Sequence, residues 1–263
     1  MRELDISADD LIAKLLSLAE HETVCILDSC DVEHLGSHLL IAGIGPIDVY
    51  EGSSDVTAAT LRILNEKLSG AHASIFTLSY GFGEKLHSVP RADTQSCEPD
   101  LFVASFDCLI VHDYRTGKTF LTGADERFDT VREALCRTPL ALLAKSSPIL
   151  SAVSNFSRDE YIEAVAKIQQ RIRAGDTYQA NLTQQLRIPL GDRSPGEIFV
   201  ALRTHHPAPF ASFIVRREST VVSASPERFF KVSNGVITAS PIKGTRPRGN
   251  SSEEDLQLRN ELV

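Results

Sequence analysis

Cysteine is scarce in this sequence, and its spacing excludes two common uses. The chain of 263 residues has five cysteines, an odd number, and none of them forms a Cys-x-x-Cys pair. This pattern argues against a structural zinc site and against the disulfide framework of a small secreted protein. We therefore expect reduced thiols in a cytoplasmic protein, in which cysteines serve mainly as small buried apolar side chains.

Long apolar runs and an excess of positive charge are also missing. No run approaches the roughly 20 apolar residues of a membrane helix, and residues 1–10 lack the basic-then-apolar layout of a secretory signal. The chain carries 27 Lys and Arg against 35 Asp and Glu, a formal net charge of −8. Binding of nucleic acid needs a higher density of cations. We expect neither a membrane nor a nucleic acid as a partner.

Apolar residues are plentiful enough for a folded protein. They make up 42% of the chain, with 24% charged residues, which is typical of a globular fold and not of a disordered one. A stretch rich in Ser and Pro near the middle of the chain indicates a connector between two domains. We predict an N-terminal subdomain over 1–140, a connector over 141–156 and a second domain over 157–263.

The second half of the chain carries clear local signals. Ser157 and Glu160 form a capping box that begins a helix, and Gly175 supplies its stop. Strict alternation of apolar and polar side chains over 178–190 predicts a half-buried strand. Asn234-Gly235 between two short apolar runs predicts a hairpin. Hairpins with helices set apart predict an α+β fold, with helices packed outside antiparallel sheets.

The last predicted helix bears on the extent of the chain. A capping box at Ser251–Glu254 begins it, and it carries Leu256 and Leu262 without a stop signal before Val263. We expect a C-terminally truncated chain that exposes an apolar patch around this helix.

Three polar clusters, at 175–179, 225–227 and 241–248, are candidates for chemistry. In the third, Lys243 precedes a Gly-Thr pair whose backbone can approach a ligand closely. Glu227 begins the adjacent predicted hairpin and could face Lys243. A Glu and a Lys that face each other shift each other's pKa, as acid/base or covalent catalysis requires. The alternative is a surface salt bridge beside a basic loop, and the residues alone leave both open.

These clusters resemble segments of the chorismate-utilising enzymes, which include anthranilate synthase component I, aminodeoxychorismate synthase component I, and the isochorismate and salicylate synthases. The resembling segments run in order along nearly the whole chain, and the resemblance implies that 157–263 is the first part of the chorismate-binding catalytic domain. The segments are ILDSC (26–30), LSYGFGEKL (78–86), VHDYRTGK (111–118), IRAGDTYQANLTQQL (172–186), SPERFF (225–230) and ASPIKGTRPRG (239–249).

The residues at two positions distinguish the branches of this family. Where this chain has Lys243, anthranilate synthases typically have alanine, and lysine is the mark of the aminodeoxychorismate synthases. Where this chain has Gln179, isochorismate and salicylate synthases have a lysine that activates water, and a glutamine amide cannot act as a base. The resemblance therefore implies aminodeoxychorismate synthase component I, an enzyme of 4-aminobenzoate and folate biosynthesis.

The resemblance also implies roles for individual residues. Lys243 would attack chorismate covalently and Glu227 would act as general acid. A lysine nucleophile must be neutral, and burial or neighbouring cations such as Arg246 and Arg248 favour that state by lowering its pKa. The residues implied in substrate binding are Gly244, Thr245, Gln179 and Arg248.

A second site, a tryptophan pocket, is implied by the same resemblance. Its elements would be Ser29, within Leu27-Asp28-Ser29, and the wall formed by Pro209 and Phe210. Ordinary core packing is the alternative. Magnesium is implied for the complete enzyme, with its ligands outside this chain. Because the chain has no Cys-His-Glu glutaminase arrangement, ammonia would come from a glutamine amidotransferase subunit or a fused domain.

Two other functions stay open. One is an anthranilate synthase component I-like enzyme that tolerates Lys243, which product identification would reveal. The other is a non-catalytic module that binds a ligand or partner, if the chain naturally ends at Val263. A reading frame that continues past Val263 would favour the enzyme.

Overall fold

A computed structural model of the chain describes residues 1–89, 98–140, 151–242 and 244–262. Lys243, and 141–150 of the predicted connector, lie outside the described residues. None of the described helices is long and apolar enough to cross a membrane. The helices are α1 (Ala8–Leu18), α2 (Thr57–Leu68), α3 (Tyr80–Leu86), α4 (Phe128–Arg137), α5 (Arg158–Ala174), α6 (Pro195–His205) and α7 (Ser252–Asn260).

The strands alternate with these helices along the chain. They are β1 (Arg2–Leu4), β2 (Val24–Asp28), β3 (Leu39–Ile44), β4 (Asp48–Gly52), β5 (Ala73–Leu78), β6 (Leu101–Phe106), β7 (Cys108–Asp113), β8 (Lys118–Gly123), β9 (Val153–Ser154), β10 (Leu186–Arg187), β11 (Phe210–Val215), β12 (Thr220–Ser225), β13 (Lys231–Ser233) and β14 (Val236–Thr238).

Contacts divide the chain into two compact units. One contains Met1–Leu142 with Ile198–Val263, and the other contains Leu143–Glu197. These units differ from the predicted segments 1–140 and 157–263, because β11 and β12 join the sheet formed by the N-terminal strands. The assignment of 157–263 to a separate catalytic domain stays a prediction.

The larger unit is built on two antiparallel sheets. The first has seven strands in the order β1-β8-β7-β3-β2-β11-β12, and the second has three in the order β4-β6-β5. Every neighbouring pair in both sheets is antiparallel. The predicted α+β fold with antiparallel sheets is confirmed.

Two cores lie on opposite faces of the seven-stranded sheet. Val24 and Ile26 of β2 pack with apolar side chains of α1, α4 and α6, whereas Cys25, between them in sequence, packs with Phe102 and Phe106 of β6. Successive side chains of a strand point to opposite faces. Strand β2 therefore contributes side chains both to a core covered by helices and to a core between the two sheets. This burial raises the pKa of the Cys25 thiol to about 12, which keeps it protonated and inert.

The close approach of the two sheets depends on one glycine of β3. A Cβ atom at Gly43 would lie 2.6 Å from the ring of Phe106, far inside van der Waals contact. Gly43 pairs with Cys25 across the strands. The missing side chain therefore makes room for the Phe106 ring between the sheets.

Helix α5 dominates the smaller unit, and its ends form as the sequence predicts. Ser157 Oγ accepts a hydrogen bond from the Glu160 amide at 3.3 Å, and the Glu160 carboxylate accepts one from the Ser157 amide at 2.8 Å. The helix stops at Gly175, whose φ of +84° lies in the left-handed region. The predicted capping box and stop are confirmed.

The strand predicted over 178–190 is wrong for the greater part of its length. Only Leu186–Arg187 are paired, with Val153–Ser154, and Tyr178 is 94% exposed. A strand needs a neighbour that satisfies its backbone groups, and alternation of side chains cannot replace that neighbour. Among the described residues, this segment pairs with the two-residue strand β9 (Val153–Ser154).

Candidate functional site

Glu227 lies in the turn that leads from β12 to the β13–β14 hairpin. Ser225 Oγ accepts a hydrogen bond from the Glu227 amide at 3.3 Å and donates one to the Glu227 carbonyl oxygen at 3.0 Å. A serine at the start of a turn favours such local bonds. The Glu227 carboxylate accepts a further hydrogen bond from the Ile242 amide at 3.4 Å. The predicted general acid therefore lies beside the residue that precedes Lys243 in the chain.

Gly244 and Thr245, both predicted to bind substrate, continue this loop. Gly244 has a φ of +75°, which favours glycine, and a Cβ atom there would lie 3.2 Å from Leu262 Cδ2. Thr245 is exposed, and its carbonyl oxygen accepts a hydrogen bond from Arg246 Nη1 at 3.1 Å. The loop thus passes close to the end of α7.

The two arginines of the loop pair with carboxylates in and directly after α7. Arg246 Nε lies 3.1 Å from Glu261 Oε2, and Arg248 Nη2 lies 2.9 Å from Asp255 Oδ2. Asp255 also accepts a hydrogen bond from the Gly249 amide at 3.0 Å. The sequence predicted both arginines as cationic neighbours of Lys243 and missed these carboxylates, which offset the positive charge that lowers the pKa of a nearby lysine.

Gln179, the remaining predicted substrate-binding residue, lies in the smaller unit after the turn that ends α5. Its side chain is exposed, and its carbonyl oxygen accepts a hydrogen bond from Thr177 Oγ1 at 3.2 Å. Its contact with substrate stays a prediction.

A buried ionic network lies at the end of β2, next to the predicted tryptophan pocket. Asp28, 2% exposed, accepts hydrogen bonds from the Cys30 amide at 2.8 Å, the Tyr114 hydroxyl at 2.7 Å and Arg203 Nε at 3.0 Å. Arg203 also pairs with Asp9 at 3.0 Å. Burial and the Asp28 carboxylate raise the pKa of Tyr114, so the phenol remains a donor. The network ties α6 and the end of β7 to β2.

The three residues of the predicted tryptophan pocket lie around one cavity of about 300 Å³. Ser29 follows β2, and its buried Oγ has no hydrogen-bond partner among the described residues. The Pro209 carbonyl accepts a hydrogen bond from Ser37 Oγ at 2.8 Å, and the Phe210 ring meets His34 edge-on with centroids 6.2 Å apart. Further apolar walls come from Leu27, Leu35, Leu39 and Ile41.

Two cations on the wall of this cavity were missed by the sequence predictions. Arg228 and Lys231 both line it, and Arg228 Nη1 donates to the Leu35 carbonyl at 3.4 Å across 193 positions of sequence. Arg228 Nε is buried without a hydrogen-bond partner among the described residues. Arg228 belongs to the Ser-Pro-Glu-Arg segment, but no local pattern directs its side chain to a cavity formed by β2 and β11.

The carboxylates, histidines and cysteines of the described ranges form no cluster of three or more that could hold a metal ion. Magnesium binding by the complete protein stays a prediction.

Comparison with known proteins assigns the family. The chain belongs to the chorismate binding enzyme family, which matches residues 7–263. It is 32% identical over 248 residues to aminodeoxychorismate synthase of Streptomyces griseus, covering 82% of this chain and 33% of that protein. It is also 32% identical over 258 residues to an anthranilate synthase component 1 of Haloarcula marismortui, covering 84% and 52%.

Two further similarities complete this comparison. Aminodeoxychorismate synthase component 1 of Klebsiella aerogenes is 34% identical over 187 residues, covering 70% of this chain and 41% of that protein. The solved structure of anthranilate synthase component I from Streptococcus pneumoniae TIGR4 has the same fold, with a TM-score of 0.69 at 19% identity over 88% of this chain and 58% of that chain. The chain spans between a third and about half of the curated relatives.

Proposed function

We propose that the complete protein is an aminodeoxychorismate synthase component I, which aminates chorismate to 4-amino-4-deoxychorismate in the cytoplasm for 4-aminobenzoate and folate biosynthesis. The hydrogen bond between Glu227 and the Ile242 amide carries this proposal, because it brings a carboxyl group to the residue before Lys243. Lysine at position 243 favours this branch, and two of the relatives bear its name.

In the proposed mechanism Lys243 is the nucleophile. Its neutral amine attacks ring carbon 2 of chorismate, both ring double bonds shift towards carbon 4, and Glu227 donates a proton to the carbon-4 hydroxyl, which leaves as water. Ammonia from a glutamine amidotransferase subunit or domain then attacks carbon 4. The bond from carbon 2 to nitrogen breaks, its electron pair returns to Lys243, and the Glu227 carboxylate takes the proton that the new ammonium group releases.

The other predicted site residues would hold the substrate in this scheme. Gly244 and Thr245 would offer backbone groups where the loop approaches the ligand. To bind a substrate carboxylate, Arg248 would first have to break its ion pair with Asp255. Gln179 would supply a neutral amide that cannot activate water, which is consistent with amination instead of hydration.

Anthranilate synthase component I is the second candidate, because the Haloarcula marismortui relative of that name is as similar as the Streptomyces griseus relative. The two functions differ in the product. The full-length protein, supplied with chorismate, ammonium and magnesium, should yield 4-amino-4-deoxychorismate, identified by mass spectrometry after chromatography. Formation of 2-aminobenzoate would establish the second candidate instead.

The covalent role of Lys243 has its own test. Lys243→Ala in the full-length protein should lower formation of 4-amino-4-deoxychorismate by about 10³-fold or more, as loss of a covalent nucleophile does. Slow direct amination at carbon 2 can remain. Lys118→Ala, which removes an exposed lysine paired with Glu3, is the matched control. Undiminished activity of Lys243→Ala would refute the covalent mechanism.

The cavity beside Ser29 fits the proposed tryptophan site. Its walls are apolar, with Phe210 and Pro209 on one side, while Ser29 Oγ offers a hydrogen bond that nothing in the described ranges uses. A pocket of this size with a few convergent polar groups is typical of small-molecule sites.

A further inference from the structure

A single carboxylate in the first turn of α7 holds the 244–250 loop, which follows Lys243 in the chain. Asp255 Oδ2 lies 2.9 Å from Arg248 Nη2, and Asp255 Oδ1 accepts a hydrogen bond from the Gly249 amide at 3.0 Å. Each oxygen of this side chain therefore contacts a different residue of the loop. Because the Asp255 side chain is only 29% exposed, water weakens these contacts less than those of a fully exposed carboxylate.

The backbone of the 244–250 loop also packs directly against this turn of α7. A Cβ atom at Gly249 would overlap the Asp255 amide nitrogen and lie 2.7 Å from Asp255 Cα. The next amide of the loop, that of Asn250, donates a hydrogen bond to the Glu254 carboxylate at 2.7 Å. The absence of a side chain at residue 249 therefore lets the loop reach the helix this closely.

The loop region has two weaker attachments, one on each side of the predicted nucleophile. The Ile242 amide donates a hydrogen bond to the Glu227 carboxylate at the longer distance of 3.4 Å. Arg246 Nε lies 3.1 Å from Glu261 Oε2, but these side chains are 43% and 46% exposed, and such surface pairs contribute little. Asp255 is therefore the contact that we expect to determine where the loop lies.

We propose that Asp255 is a positioning residue, which fixes the 244–250 loop against α7 and thereby sets the position of Lys243 relative to Glu227. The inference rests on the proposed function, since Lys243 has its role as nucleophile only there. Displacement of a reacting group by about 1 Å can lower a rate by about 10²-fold. Release of the loop from α7 should therefore slow the covalent step, although Asp255 itself does not contact the substrate.

The first test is kinetic and uses the full-length protein with chorismate, ammonium and magnesium. Asp255→Ala should lower kcat for 4-amino-4-deoxychorismate by about 10- to 100-fold. Its unfolding midpoint should stay close to the wild-type value, because the contact joins two surface segments. Glu253→Ala is the matched control: it removes the same charge from the same turn, at an exposed residue, and should leave kcat unchanged. Equal kcat values in Asp255→Ala and Glu253→Ala would overturn the proposal.

Gly249→Ala breaks the same contact without a change of charge. The added methyl group should push the loop away from α7 and lower kcat by about the same factor as Asp255→Ala. Because both substitutions release one contact, the double variant should lose little more than either single variant, whereas independent effects multiply. A multiplied loss would overturn the shared contact. Gly83→Ala, at a glycine where a Cβ atom meets nothing within 4 Å, is the control.

The ratio of products separates positioning from loss of folded protein. When Lys243 is displaced from ring carbon 2, ammonia can add there directly, so the share of product aminated at carbon 2 should rise in Asp255→Ala and in Gly249→Ala. Loss of folded protein would lower both products alike. Chromatography with mass spectrometry measures this share. A lowered kcat with the wild-type share in both variants would overturn the positioning role.

Amide hydrogen exchange of the substrate-free protein tests the contact independently of the reaction. The amides of the 244–250 loop should exchange faster in Asp255→Ala than in the wild type and in Glu253→Ala. Equal exchange in all three proteins would overturn the proposal whatever their turnover. Faster exchange in Asp255→Ala, together with a wild type that forms no 4-amino-4-deoxychorismate, would support the hold of Asp255 on the loop and refute the proposed function.

Discussion

The two-sheet core of the larger unit and the segment 226–262 differ sharply in how they are held. In the core, Phe102 and Leu121 are fully buried and the charge of Asp28 is matched inside the protein. In segment 226–262, Phe229 is 89% and Ile237 is 71% exposed, and its ion pairs lie at the surface. The core is thus specified by its own packing, whereas the segment that carries the predicted catalytic residues is held by hydrogen bonds and surface ion pairs.

This difference separates the part of the chain that provides stability from the part that is predicted to provide chemistry. Substitutions in the two-sheet core should act on unfolding, and substitutions in segment 226–262 should act on turnover with little effect on unfolding. This division can be tested in the full-length protein.

The largest effect is expected at Glu227. Glu227→Gln should lower kcat for 4-amino-4-deoxychorismate formation by about 10²–10⁴-fold, because an amide cannot protonate the leaving hydroxyl. Its unfolding midpoint should stay at the wild-type value, since Glu227 is exposed. Steady-state kinetics and thermal unfolding measure the two effects. Glu218→Gln, in the exposed turn between β11 and β12, is the control. A normal kcat in Glu227→Gln would show that Glu227 is not the general acid.

The next effect is expected at Asp28, in the core. Asp28→Ala should lower the free energy of unfolding by about 3–5 kcal/mol, because it leaves the guanidinium of Arg203 without its buried partner. Asp129→Ala breaks an ion pair with Arg2 in which the Asp129 side chain is 64% exposed, and should cost about 1 kcal/mol or less. Urea unfolding compares the two. Equal losses would contradict the assignment of the Asp28 network to the stabilising core.

The smallest effect is a pH dependence at His112 of β7. Thr119 Oγ1 donates its proton to the Ile6 carbonyl at 2.9 Å, so His112 Nδ1 donates to Thr119 Oγ1, also at 2.9 Å. Burial lowers the pKa of His112, and the negative charge of Asp113 opposes the shift. The unfolded chain therefore binds the proton more readily, and stability present above about pH 6.5 is lost as pH falls below it.

The corresponding experiment compares unfolding free energies at pH 7 and pH 5.5. His112→Gln should lose less stability between these values than the wild type, by at most about 1.4 kcal/mol per pH unit. His206→Gln, at an exposed histidine, should follow the wild type. An identical pH dependence in His112→Gln would show that another group is responsible.

The predictions from the sequence were most accurate for caps and turns, whose hydrogen bonds join residues close together in the chain. The capping box at Ser157–Glu160, the stop at Gly175 and the Asn234-Gly235 turn, with φ of +51° and +76°, need only contacts within a few residues. The segment 178–190 has an equally clear pattern, yet most of it forms no strand, because its backbone bonds depend on a partner that no local pattern specifies.

The sequence by itself determined the family motifs and the antiparallel α+β class, and its resemblance to the family grouped Ser29 with Pro209 and Phe210 as candidates for one pocket. Only the tertiary structure decided that β11 joins the N-terminal sheet, that Arg246 and Arg248 pair with acids of the α7 region, and that Arg228 reaches the cavity. These contacts join residues distant in the chain or depend on which side chain meets which after folding. Ion pairs and the shape of a cavity depend on how distant segments pack in the folded chain, so they cannot be predicted from the spacing of residues along the sequence.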